Sequence, residues 1–451
     1  MVDEKLNEGS AVECFDTQDR VPEWRISPRN TFAAMRYPNY RIWFAGQLVS
    51  LFGTWMQVTA QGYLAYQLTG SSAFLGYVAF ATGLPVWLFI LYAGSVADHV
   101  PRKRLMLYTQ SAMLVLAFVL ALLTFTGAIR PWHVLVLALL TFTGAIRPWH
   151  VLVLAFLLGI ANTFDSPTRL ALVNQLVDDK RHLPNAVALN GSIFNMATAL
   201  GPAGAGGVYA LLGPAWCFTI NGLSFVAVIA ALLLMRVRPV PLCPRDQSPM
   251  AGIVEGLTYV WRHENIRALI LLIGVTSLFG LSFAVLIPAW AVKVLHGNAT
   301  TGATINGLLQ SARGIGALLA ALTIATVSHL KVKGRIATFG MFTYPVALLA
   351  FAVARSTALA MLLVALVGFA SILVVNLCNV LIQSQVENSL RGRVSAVYSL
   401  VFFGMMPIGS LLIGWLAQWT SEPVAITANT CAALTGAALI WIFVPRLRAM
   451  P

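Results

Sequence analysis

Residues 357–383 read TALAMLLVALVGFASILVVNLCNVLIQ, a run in which no side chain carries a charge. As a helix rising 1.5 Å per residue it is about 40 Å long, more than the roughly 30 Å hydrocarbon core of a bilayer. The nearest charges lie outside it, at Arg355 on one side and at Glu387, Arg391 and Arg393 on the other. Comparable runs occupy about 41–66, 74–97, 105–128, 150–172, 186–212, 214–235, 268–292, 303–327, 336–354, 394–417 and 424–444. The reading is an all-α integral membrane protein with about 12 transmembrane helices.

Composition agrees. Of 451 residues, 58% are hydrophobic and 10% charged, where a soluble domain carries roughly 25% charged residues. The net charge of +13 does not point to nucleic acid, because the basic residues sit in short segments between apolar runs. Twenty-four of the 29 lysines and arginines fall on one side of the predicted membrane if residue 1 lies in the cytoplasm. Only Arg130, Arg147, Lys293 and Arg355 fall on the other, and Arg313 lies within a span. The positive-inside rule then puts both termini in the cytoplasm.

This divides the chain into a cytoplasmic tail over 1–36, a six-helix bundle over 37–235, a central loop over 236–267, a second bundle over 268–445 and a tail over 446–451. The stretch AGIVEGLTYVWR at 251–262 reads either as a helix lying on the membrane surface or as a linker helix. Cys14, Cys217, Cys243, Cys378 and Cys431 show neither disulfide nor metal spacing and read as packing residues. No GxxxxGK[ST] motif and no catalytic cluster is present, so the chain reads as no enzyme.

The two bundles resemble each other. QLVDDKRHLPNAVALN, followed by Gly201-Pro202, matches SQVENSLRGRVSAVYSL, followed by Pro407 and Gly409. One segment breaks the symmetry: LALLTFTGAIRPWHVLV at 120–136 recurs unchanged at 137–153. The apolar stretch Val134–Ile146 between the two RPWH copies is about 20 Å long as a helix, too short to span. A thirteenth crossing would also move fifteen basic residues outside. The expectation is a lengthened or re-entrant hairpin on the outer side.

Polar residues inside spans mark candidate function. Asp165 is a carboxylate at membrane depth, costly unless it serves a purpose. It shares a helical face with Asn162 and Arg169. It reads either as a proton carrier or as half of a structural pair with Arg169. Arg313 shares a face with Asn306 and Gln310, and reads either as a substrate or counter-ion contact or as a side chain reaching for an interface. Gln57 with Gln61, and Asn376 with Asn379 and Gln383, form further stripes suited to a wet cavity or to helix association. Gly201, Pro202, Gly206 and Gly207 suit close helix packing.

GSVADHVPRKR at 94–104, between spans two and three, resembles the signature loop of the major facilitator superfamily. The resemblance covers about 40–445. It implies two pseudo-symmetric six-helix bundles and a cytoplasmic gate at Asp98, Arg102 and Arg104, with Arg169 beside them. Pro101 stands where many members have glycine. NTFDSPTRLALVNQLVDDKRHLPNAVALNGS is similar to the branch that contains the enterobactin exporter. That implies a monomeric secondary transporter of the bacterial inner membrane, exporting a siderophore or hydrophobic drug-like molecule by proton antiport. Its partners are then lipid and a small molecule, with no nucleic acid, and it needs no cofactor beyond the proton gradient. The alternatives are a facilitator or importer, or a non-transporting membrane scaffold or sensor.

Deleting 137–153 should leave a C-terminal fluorescent-protein fusion fluorescent and a C-terminal phosphatase fusion inactive, as in the full chain. An active phosphatase on one of the two proteins means that the second copy adds a crossing.

Overall fold

A computed structural model describes residues 32–126, 148–237, 249–327, 333–387 and 390–445. These residues are helical, without a strand among them. After a short turn at Ala33–Arg36 the helices are α1 (Pro38–Thr69), α2 (Ser72–His99), α3 (Arg102–Thr126), α4 (Pro148–Val173), α5 (Leu183–Leu212) and α6 (Pro214–Leu234). Then come α7 (Pro249–Arg262), α8 (Glu264–Val275), α9 (Ile287–Lys293), α10 (Ala299–Val327), α11 (Lys333–Val353), α12 (Thr357–Gln385), α13 (Arg391–Trp419) and α14 (Glu422–Phe443). Local chemistry sets the boundaries. Proline opens α1, α6 and α7 and takes the second position of α14, where its missing N–H costs nothing. Ser71 caps α2 by accepting from the Phe74 N–H, and Gly70 ends α1 at φ 61°, a left-handed turn that glycine takes without strain.

Among the described residues, ten segments are long and apolar enough to cross a membrane, α8 and α9 counting together as one. The other two long helices, α1 with 32 residues and α5 with 30, fall short on apolarity. Glutamine and glycine dilute α1, and asparagine and glycine dilute α5. The twelve form two halves of six, α1–α6 and α8–α14, with α7 between them. Packing follows a twofold relation: α2 on α4, α3 on α4 and α3 on α6 recur as α10 on α12, α11 on α12 and α11 on α14. Pro202 in α5 and Pro407 in α13 occupy corresponding helices.

α3 ends and α4 begins at the same end of the bundle. Leu123 and Leu154 share one buried cluster with Tyr209 and Cys217. Residues 120–126 of the first repeat copy finish α3, and 148–153 of the second begin α4. The expected hairpin lies outside the described residues. Of the cysteines, Cys217 and Cys378 are buried and Cys431 is exposed.

The halves meet along two seams, α5 on α10 and α2 on α13, which the twofold exchanges. At each, a glycine on the second helix of one half receives a proline on the fifth helix of the other. A Cβ on Gly83 would overlap the Pro407 ring, and one on Gly307 would run into the Pro202 carbonyl. Gly206 joins the second seam, 3.1 Å from the Ala303 oxygen at the Cβ position, while Gly201 faces Trp55 of α1. Gly207 does not belong to this packing as the sequence suggested. One residue further round the helix, it faces open space. Small residues allow this backbone approach in a membrane, where lipid offers no hydrophobic drive to associate.

The first span of the second half is broken. After α8 the chain passes through a wide π turn at Thr276–Gly280 and a tight 3-10 stretch at Leu281–Leu286 before α9. Asn429 of α14 donates to the Phe279 carbonyl at 2.7 Å, and Ser282 donates to the Leu278 carbonyl at 2.8 Å. Such partners let irregular backbone persist at membrane depth. α1, its counterpart, is continuous.

Gly83→Val and Gly307→Val should each lower the thermal midpoint of the purified protein by several degrees, an overpacking cost of about 1–3 kcal/mol. Gly207→Ala should leave it unchanged. Differential scanning fluorimetry in one detergent compares the three, and an equal shift in all would remove the seams as the reason.

Candidate functional site

Asp165 is 2% exposed and lies between α4 and α3. Its Oδ1 accepts from Thr109 Oγ1 at 2.9 Å and from Gln110 Nε2 at 2.8 Å, and its Oδ2 sits 3.7 Å from Arg169 Nε. Two neutral donors and one cation therefore give this buried carboxylate its hydrogen-bond and charge partners. Asn162 shares the helix but not the cluster, and donates to the Leu158 carbonyl of its own helix. The polar pair Thr109-Gln110 in an apolar span was the available signal for these partners.

The second half holds a different group. Arg313 donates from Nε to Gln310 Oε1 at 3.2 Å, and Gln310 Nε2 lies 3.5 Å from the Ala284 carbonyl in the broken span. No carboxylate pairs with Arg313 among the described residues. Asn306 crosses to the first half, its Nδ2 lying 3.5 Å from the Thr59 carbonyl, and its buried Oδ1 has no partner. The sequence placed Arg313, Gln310 and Asn306 on one face. The structure adds the unwound backbone beside them, which residue spacing did not show.

The remaining stripes divide. Gln57 accepts from Asn221 of α6 at 2.6 Å and is buried, as is Gln61 one turn on. Asn376 and Asn379 are half-buried on α12, and Gln383 donates to Ser395 of α13 at 2.6 Å. Hydrogen bonds between membrane helices average about 0.6 kcal/mol, so these position helices more than they stabilise them. No contact joins Asp165 to Arg313 among the described residues.

At the end of the bundle that carries most of the lysines and arginines, here called the basic end, Asp98 lies in the last turn of α2. Arg102 donates to the Ala171 carbonyl at 3.2 Å, at the end of α4, and Lys103 to the Met235 carbonyl at 2.7 Å, past α6. Cations at helix C-termini answer both the free carbonyls and the dipole. Arg104 is exposed, and Arg169 is engaged by Asp165. In the loop before α5, Arg181 holds the exposed Asp179 carboxyl down at about 2 through hydrogen bonds. Arg393 of α13 pairs with Glu255 of α7, while Trp261 of α7 is 66% exposed.

The far end carries a charged pair. Glu422 opens α14, is 3% exposed, and pairs with Lys293 at 2.7 Å.

Comparison with known proteins fits this architecture. The family described as transmembrane secretion effectors matches residues 29–145 and 133–450. Those two stretches overlap over 133–145, inside the duplicated segment. The staphyloferrin A transporter of Staphylococcus aureus is 25% identical, over 84% of this chain and 89% of its own. The multidrug efflux pump Tap of Mycolicibacterium fortuitum is 27% identical, over 88% and 93%. The enterobactin exporter EntS of Shigella boydii is 21% identical, over 91% and 93%. Among solved structures, a D-xylose-proton symporter superposes with a TM-score of 0.65 at 14% identity, covering 92% of this chain and 99% of its own. The peptide transporter PepTSo reaches 0.67 at 12%, covering 91% and 98%. A multi-pass chain of two six-helix halves with reciprocal seams, matched from residue 29 to residue 450, belongs to the transmembrane secretion effector family of major facilitator transporters.

Proposed function

We propose that this transporter exports a siderophore or a hydrophobic drug-like molecule across the bacterial inner membrane, driven by proton antiport. It works as a monomer without a bound cofactor. The basic end and both termini face the cytoplasm, in line with the positive-inside rule. The observation that carries the reading is the pair of reciprocal glycine–proline seams. Two rigid halves joined along such seams can rock about a central site, as alternating access requires. The relatives' own functions, siderophore transport and multidrug efflux, support the substrate class and the outward direction.

In this reading Asp165 carries the proton. Its hold on Arg169 is long, at 3.7 Å, and the two residues lie one turn apart on α4, so a change of the Arg169 side-chain rotamer releases the guanidinium. The carboxyl then loses its counter-charge and takes a proton instead. Arg313, Gln310 and Asn306 contact the substrate beside the broken span, since discontinuous helices often mark transporter sites. Gln57, Gln61, Asn162, Asn376 and Asn379 line the pathway. Asp98, Arg102, Arg104 and Arg169 gate the cytoplasmic end.

Asp165→Asn keeps an amide that Thr109 can still donate to, so the variant should fold and reach the membrane. It should abolish pH-driven efflux from inverted vesicles, and unchanged efflux removes Asp165 from coupling. Asp165→Ala should instead lower the thermal midpoint, because it also leaves the buried Thr109 and Gln110 donors without an acceptor, at about 1–3 kcal/mol each. A deletion strain screened against siderophores and a drug panel identifies the substrate. Counterflow at full rate without a pH gradient would replace antiport by facilitation.

A further inference from the structure

Two corners close the far end between the halves, and they differ in chemistry. At the α5–α10 corner the cross-half groups are neutral: Tyr63 of α1 donates to the Asn298 carbonyl at 3.3 Å, and Gly302 packs beneath the same tyrosine. At the α2–α13 corner the cross-half bond is to a buried carboxylate. Ser72 Oγ, at the N-terminus of α2, donates to Glu422 Oε1 at 2.6 Å, and Lys293 Nζ donates to the same oxygen at 2.7 Å. Beside it, Gln418 Oε1 of α13 accepts from Ser71 Oγ at 2.9 Å and from the Ser72 N–H at 3.1 Å. Gly414 of α13 packs on the Ser72 backbone. Ser71 and Ser72 belong to the first half. Lys293, Gln418 and Glu422 belong to the second.

An ionised Glu422 therefore ties the start of α2 to the second half. The positive end of the α2 dipole and the charge-assisted bond from Ser72 both favour the anion. Separating the halves at this end removes both and opens the carboxylate to water. Protonation has the converse effect. It cancels the charge that the α2 terminus faces and leaves Lys293 without its counter-ion. The charged groups packed around Glu422 are few. Lys293 comes from α9, and Tyr66 of α1 places its ring 5.9 Å from the Lys293 ammonium. α2 and α13 contribute only Ser71, Ser72 and Gln418 there. His296, three residues past Lys293, is exposed.

We propose that Glu422 is a proton-binding site of the outer gate, whose ionised carboxylate holds the halves together and whose protonation from the outer side lets them part. Acid outside then favours the state that releases cargo, separately from the proton carried through the protein. The proposal rests on alternating access and on the far end facing outward, not on the role of Asp165.

The test is a distance between halves at the far end. Paramagnetic unnatural amino acids at Leu68 and Thr420, both exposed, leave the native cysteines in place. Pulsed dipolar spectroscopy of the full chain in lipid nanodiscs between pH 8 and pH 3.5, below the ordinary carboxylate range of about 4.3, reads the fraction with parted halves. In the wild type that fraction should rise at least about fivefold on acidification, the low end of coupling between linked sites. Glu422→Gln should be parted to the same extent at both pH values, and His296→Asn should respond like the wild type. Ser72→Ala is the second variant if Glu422→Gln does not fold, and it should raise the parted fraction at pH 8. Two populations that ignore pH in the wild type, a Glu422→Gln response equal to the wild type, or a Ser72→Ala distribution equal to the wild type at every pH each overturn the latch and leave alternating access standing. One unchanging distance in all proteins overturns both.

Discussion

The transporter depends on two places where backbones of different halves touch. Gly83 against Pro407 and Gly307 against Pro202 leave no room for a Cβ. Lipid tails are as apolar as leucine, so the halves gain nothing by hiding hydrophobic surface from each other. What joins them is close van der Waals contact, and that needs small residues where the helices cross. Because the twofold exchanges the two seams, the halves meet through two like crossings, and a rocking motion can use both alike.

Around that mechanical frame, the membrane forces polar groups into company. Asp165, with three partners in its own half, leaves the seams untouched. Glu422 has one partner in each half. The first carboxylate takes its whole environment from one half. The environment of the second is made by the contact of both. Where the backbone itself departs from a helix, at 276–286, Asn429 and Ser282 take up freed carbonyls. That is the condition under which irregular chain survives at membrane depth.

The twofold is incomplete, and the departures fall where chemistry is placed. The broken span has no partner in α1, Arg313 has none in α2, and the charged far corner has none at α5–α10. The tandem copy is another departure. It falls between α3 and α4, whose ends lie on one side of the bundle, so the frame of six and six is kept on either side of it.

Much of this was legible in one dimension. Transfer of a residue into lipid depends on that residue and its close neighbours, so spans such as 357–383 could be read directly. The flanking arginines are equally local, as is the recurrence of proline at 202 and 407. The two least apolar spans, α1 and α5, were still found, because length and flanking charge compensate for dilution by polar residues and glycine. The sequence also marked Asp165 and Arg313 as unusual, because a charge within a span is rare whatever surrounds it. Which groups answer those charges was decided only by the fold. Gln110 reaches Asp165 across 55 positions, and Ser72 reaches Glu422 across 350. No periodicity records such pairs, since they exist only once helices from distant parts of the chain are packed side by side.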